Sequence, residues 1–130
     1  MATKISIDVA SVVDITARRN DSFYLKTELT NSDGTIYNLE DPEGRTHSVF
    51  FEVYDANDIL VLAFSSSANS NPLIYPTIDV NLSPATLTIS HPSSYFTIRS
   101  GTYKYKYYVR SYNLSIVNTI MVGKLKVVDI

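Results

Sequence analysis

The chain contains no cysteine. That removes a disulfide scaffold, a thiolate metal site and a cysteine nucleophile together. It has no tryptophan and four glycines, Gly34, Gly44, Gly101 and Gly123. None of the four sits in a glycine-rich loop ahead of a helix, so a phosphate-cradling motif is excluded. An excess of one charge is missing too: 11 Lys and Arg against 13 Asp and Glu leave a net −2. No global basic field draws in nucleic acid or an anionic membrane. Long hydrophobic runs are absent, since stretches such as Ile59 to Phe64 fall far short of the roughly 18 residues a membrane span needs. The start, Met1-Ala2-Thr3-Lys4, shows no apolar h-region, and the expectation is a soluble protein without a secretory signal of its own.

What is present is ordinary for a folded domain: 45% apolar and 18% charged residues in a chain of 130. That length buries roughly two-thirds of the surface of the unfolded chain and needs no covalent staple. We expect a single domain over residues 1–130. The aromatic set is ten Tyr and five Phe, and tyrosine suits half-buried pleated surfaces.

Period-two alternation dominates the chain. Phe23, Leu25, Thr27 and Leu29 share one strand face, and Tyr24, Lys26 and Glu28 the other. Asn31 to Gly34 is a turn, Ile36 to Leu39 a short returning strand, and Asp41 to Gly44 a loop. Ser48 to Tyr54 is apolar on both faces, which predicts a central strand covered twice. Asp55 to Asp58 turns the chain into a second such run, Ile59 to Phe64. Ser65 to Pro76 is a long polar loop. Thr77 to Leu82 and Thr86 to Ser90 are strands split by Ser83-Pro84, and His91 to Ser94 opens at most one short helical turn with Tyr95, Phe96 and Ile98 inward. Short edge strands occupy Ile5 to Val9 and Val12 to Thr16. In all, eight to ten strands separated by turn signals predict an all-β sandwich or barrel.

The C-terminal hairpin is the clearest element. Tyr103, Tyr105, Tyr107 and Val109 alternate with Lys104, Lys106, Tyr108 and Arg110, and Thr119 to Asp129 folds back. Setting Ser111 opposite Thr119 makes the inner face uniformly apolar and lays Tyr107 over Gly123. The outer face then carries Lys104, Lys106, Tyr108, Arg110, Ile120, Val122, Lys124 and Lys126, half basic and half apolar. Basic and aromatic groups on a sheet can bind single-stranded nucleic acid, but Tyr and Arg are enriched at protein interfaces, so these eight form the candidate surface for a protein partner. The alternative is that Glu28 or Glu52 neutralises the lysines and the other sheet covers the apolar end.

Chemistry is sparse. His47 and His91 are far apart, with no triad spacing around them. Asp55 with Asp58, and Asp41 with Glu43, match no calcium-loop pattern and read as turn residues. Three Asn-x-Ser tripeptides, at Asn20, Asn81 and Asn113, are too common a pattern to signify. The expectation is no catalytic residue, no metal, no cofactor and no small-molecule substrate.

Asp14-Ile15-Thr16-Ala17-Arg18-Arg19-Asn20-Asp21-Ser22-Phe23-Tyr24-Leu25 resembles the opening of small β-sandwich domains in virion proteins of tailed bacteriophages, where an extended I-T-x-x-x-G-D/N-D segment leads into a Phe/Leu strand. The likeness continues in Asp33 to Leu39, Gly101 to Tyr105 and Val122 to Val127. It is similar to the N-terminal domain of phage baseplate upper proteins and to stand-alone virion proteins. Arg18-Arg19 departs from the pattern, standing where that family often has glycine. The resemblance implies an immunoglobulin-like two-sheet antiparallel β-sandwich. It also implies a non-enzymatic assembly module of the particle, as capsid decoration or at the neck, tail or baseplate. Its partners would be other virion proteins and copies of itself, with assembly in the host cytoplasm. The competing expectation is a carbohydrate- or receptor-binding sandwich that uses Tyr75, Tyr95 and Tyr112.

Overall fold

The computed structural model describes residues 3–6 (main chain only), 11–31, 33–40, 44–67, 71–92, 96, 98–111 and 117–129. Among them are eleven strands and no helix: β1 Thr3–Ser6, β2 Ser11–Val12, β3 Ile15–Arg18, β4 Phe23–Thr30, β5 Ser48–Tyr54, β6 Leu60–Ser65, β7 Ile74–Tyr75, β8 Ile78–Leu82, β9 Ala85–His91, β10 Gly101–Arg110 and β11 Val117–Val128. They form a four-stranded sheet in the order β1-β4-β9-β8 and a seven-stranded sheet, β2-β11-β10-β5-β6-β7 with β3 also on β11.

One core joins the sheets. Phe23, Leu29, Leu87 and Ile89 of the smaller sheet cluster with Phe51, Val53, Leu62, Phe64, Tyr105, Tyr107 and Leu125 of the larger. With no indole available, Phe and Tyr rings fill the volume. Phe23 lies 5.8 Å from Phe51 and 5.5 Å from both Phe64 and Phe96. Phe51 stacks on Tyr105 at 4.8 Å and meets Tyr107 edge-on at 5.1 Å, arrangements that suit the ring quadrupole. β4 obeys its alternation, with Phe23, Thr27 and Leu29 buried and Tyr24 and Lys26 exposed.

Several departures concern pairing and strand limits. The sheets are mixed rather than wholly antiparallel: β1 runs parallel to β4, β2 and β3 to β11, and β7 to β6. Short edge segments supply each parallel pair, and alternation within a strand is blind to the direction of its neighbour. Two-residue strands β2 and β7 carry the number past ten, and β7 lies inside the expected Ser65–Pro76 loop. The Ile36–Leu39 segment forms no strand; single bridges Thr30–Ile36 and Glu40–Thr46 flank a buried Leu39. β5 is central, between β10 and β6, but its outer residues Phe50 and Tyr54 are only half-covered. The turn expected at His91 to Ser94 begins with a residue that closes β9, and residues 93–95 lie outside the described set.

The turns follow their chemistry. Gly34 takes φ +86° and its N–H donates to Asn31 at 2.9 Å. The turn after β3 places Asn20 at φ +68°. Asparagine tolerates this left-handed position, so Arg18-Arg19 need not supply it. Ser83-Pro84, a cis peptide, occupies the two central positions of the β8–β9 turn.

Candidate interaction surface

The outer face of the seven-stranded sheet is built around β10. Its register with β11 sets Tyr105 opposite Gly123, Tyr103 opposite Leu125 and Lys104 opposite Lys124. This is two residues from the register expected from the hairpin alone, which laid Tyr107 over Gly123. An even shift leaves every side chain on its face, so the inner apolar row survives. A bulge between Tyr107 and Tyr108 then absorbs one residue, pairing Tyr107 with Met121 and Tyr108 with Thr119. Ile120 is that residue. It is fully buried in the core and so leaves the candidate surface.

The register is decided by a third segment. β2 and β3 run along β11 in one constant offset, broken at Val13-Asp14. There the Val13 N–H donates to the Val122 carbonyl at 2.9 Å, and the Val13 carbonyl arches over Gly123. A Cβ at position 123 would stand 2.1 Å from that oxygen, so only glycine fits. The Tyr105 hydroxyl donates to the same carbonyl. The Asp14 carboxylate accepts from the Lys124 N–H at 3.0 Å, taking over where the ladder is interrupted. Burial pushes the Tyr105 phenol up to about 12, with the Asp14 charge adding to the shift.

Tyr108 is the centre of the outer face. It is only 5% exposed although it points away from the core. Phe50 stacks on it at 5.3 Å, and Lys106 and Arg110 lie at 5.1 and 5.7 Å from its ring centroid. Its hydroxyl donates to Glu52 at 2.9 Å, and Tyr54 donates to the other oxygen of that carboxylate at 2.5 Å. Desolvation first, then the Glu52 hydrogen bond and charge, raise both phenols, Tyr54 to about 12 and Tyr108 further. Half of the expected surface is therefore withdrawn: Tyr108 is bonded to Glu52, Lys106 and Arg110 cover its ring, and Ile120 is buried.

The rest remains open. Lys104 meets Asp58 at 2.6 Å with both side chains largely exposed, a pair of little energetic weight. Lys124 and Lys126 are exposed and make no ion pair among the described residues. Val122 is half-exposed and pairs with Val12, which is 77% exposed. The available patch is thus Lys124, Lys126, Val122 and Val12, with Thr16 and Arg18 of β3 alongside. Hairpin alternation alone misses Val12, Thr16 and Arg18, because it does not show which strand flanks β11.

The remaining polar residues are dispersed. His47 lines an open cleft of about 460 Å³ with Thr46, Ser48, Ser66, Ser67, Ile78, Asp79 and Val80. Ser66 Oγ is already an acceptor for the Val49 N–H at 2.9 Å. His91 ends β9, buried between the rings of Phe64 at 4.6 Å and Tyr75 at 4.8 Å. Asp55 accepts from the N–H groups of Asn57 and Ile59, a turn-forming role. Among the described residues no three His, Cys, Asp or Glu side chains are grouped to hold a metal ion. Asp41 and Glu43 lie outside the described residues, as do Tyr95 and Tyr112. No family model matches the chain, and no curated protein matches it in sequence.

Proposed function

We propose that this chain is a non-enzymatic structural module of a tailed-bacteriophage particle, with an immunoglobulin-like arrangement of its two sheets. It docks on other virion proteins and on copies of itself, as capsid decoration or at the neck, tail or baseplate. One observation supports this reading above the others. Parts of three of the four stretches that carry the resemblance, separated in sequence, are neighbours in space. Ile15 to Arg18 pairs with Leu125 to Val128, and β11 in turn pairs with Gly101 to Tyr105 of β10. Together they frame the open patch of Lys124, Lys126, Val122 and Val12, whose mix of cations and aliphatic surface suits a protein partner. The carbohydrate reading has less support: Tyr75, the one described residue of its three, is half-buried against His91 rather than presented outward.

Mass spectrometry of purified particles tests the proposal. The chain is expected in fixed copy number relative to the major capsid protein, and particles from which it is missing overturn the reading.

A further inference from the structure

The free edge of the smaller sheet has an unusual property: it is complementary to itself. Among the described residues, β8 pairs with β9 on one side and borders no strand on the other. The Ser90 N–H donates to the Thr77 carbonyl at 3.0 Å, so Thr77 and Ser90 form a hydrogen-bonded pair. Such pairs alternate along an antiparallel ladder. With Asp79 opposite Thr88 and Asn81 opposite Thr86, those two β8 residues spend their main-chain groups on β9. Ile78, Val80 and Leu82 therefore direct their N–H and C=O groups outward. Among the described residues no hydrogen bond reaches them from beyond the ladder.

Exposed edges are normally guarded by lysine, proline, a bulge or a covering loop. Ile78-Asp79-Val80-Asn81-Leu82 contains no lysine and no proline, and its pairing with β9 is regular. Leu82 is 38% exposed, and the cleft beside Ile78, Asp79 and Val80 is open.

We propose that β8 pairs antiparallel with β8 of a second copy about a two-fold axis at Val80, joining two four-stranded sheets into one continuous sheet. The outward groups fix the register. Val80 faces Val80 of the other copy and Ile78 faces its Leu82, so the three outward residues meet one another as hydrogen-bonded pairs. On the core side, Leu82 is buried against Ile78. On the solvent face, Asp79 stands opposite Asn81, an acceptor against an amide donor, so no two carboxylates are directly opposed. A register shifted by one residue would set outward groups against groups already spent on β9. This interface lies on the sheet opposite the Lys124–Lys126 patch and goes beyond the virion reading without depending on it.

Sedimentation equilibrium of the purified full chain, from about 1 to 500 µM to suit a small interface, should show a mean mass rising from 14.5 kDa toward twice that value. Val80→Pro removes the outward N–H at the axis and takes nothing from the β9 ladder, a position where an edge strand tolerates proline. It should keep the parent's circular dichroism and remain monomeric throughout. Asn81→Asp sets carboxylates opposite one another and should weaken association at least tenfold at low salt, recovering as salt is added. A parent chain that stays monomeric overturns the inference, as does a folded Val80→Pro chain that associates like the parent. Should Val80→Pro not fold, unchanged association of Asn81→Asp decides against it.

Discussion

Gly123 shows how much one missing side chain can hold in place. Its hydrogen leaves room for the Val13 carbonyl, which also accepts from Tyr105, so a single residue ties β2, β10 and β11 together. Gly123→Ala is expected to lose about 2–3 kcal/mol of stability by urea unfolding, because the obstructing atom is main chain and cannot rotate away. Tyr107 predicts the opposite sign. Its ring is the largest fully buried side chain, and its hydroxyl has no hydrogen-bond partner among the described residues. Burial pushes that phenol far above its usual value. Tyr107→Phe removes an unsatisfied polar group and keeps the packing, so stability should be unchanged or up to about 1 kcal/mol higher. A clear loss would show that the oxygen is satisfied after all. The tyrosines also set a response to alkali. Tyr54 and Tyr105 are raised from 10.0 to about 12 in the folded chain, whereas the unfolded chain ionises near the ordinary value. Between those limits the unfolded state has released protons that the folded state retains. Stability is therefore full below pH 10 and falls as pH rises toward 12. Denaturant midpoints measured across that range check the slope, and phenolate absorbance should lag behind that of free tyrosine.

At the level of elements, the outer face of β5 and β10 works as one unit through Glu52. Two phenols donate to it, and Phe50, Lys106 and Arg110 pack around one of them. Glu52→Ala strands both hydroxyls and should cost about 1–3 kcal/mol, whereas Glu52→Gln retains an acceptor and costs less. Thermal melts of the two variants, compared with each other, check the order. This network explains what could be read from the sequence and what could not. Alternation in Phe23–Thr30, Ser48–Tyr54 and Gly101–Arg110 reports which side chains face inward, because that depends only on the pleat. Register is different. The offset of β10 on β11 is set by Val13, 92 residues before Tyr105 of β10, and no pattern within the hairpin encodes that approach. The burial of Ile120 follows from the bulge, which is likewise invisible to period two. Glu52 was legible as a neutraliser of the outer lysines, but its bonds go to phenols. Asp58, from the turn before β6, meets Lys104 instead.

For the whole molecule, the two proposed contacts fall on different sheets. The larger sheet presents cations that no carboxylate among the described residues claims, Lys124 and Lys126, beside the aliphatic pair Val12 and Val122. The smaller presents an edge, β8, that is unpaired among the described residues. A chain with net charge −2 has no general attraction for an acidic partner. Any electrostatic steering must therefore come from the local patch, and it weakens with salt. Both lysines are exposed, so Lys124→Glu with Lys126→Glu should leave the melting temperature nearly unchanged, as exposed substitutions generally do. Their effect should appear only in assembly. If the patch docks the chain on a particle, the double variant should fold normally and be depleted from purified virions, as judged by quantitative mass spectrometry. If the edge of β8 is the contact between copies, self-association of the same variant should be intact. A double variant incorporated at the parent's level would remove the patch from the docking surface, and a variant that both fails to incorporate and fails to self-associate would merge the two contacts into one.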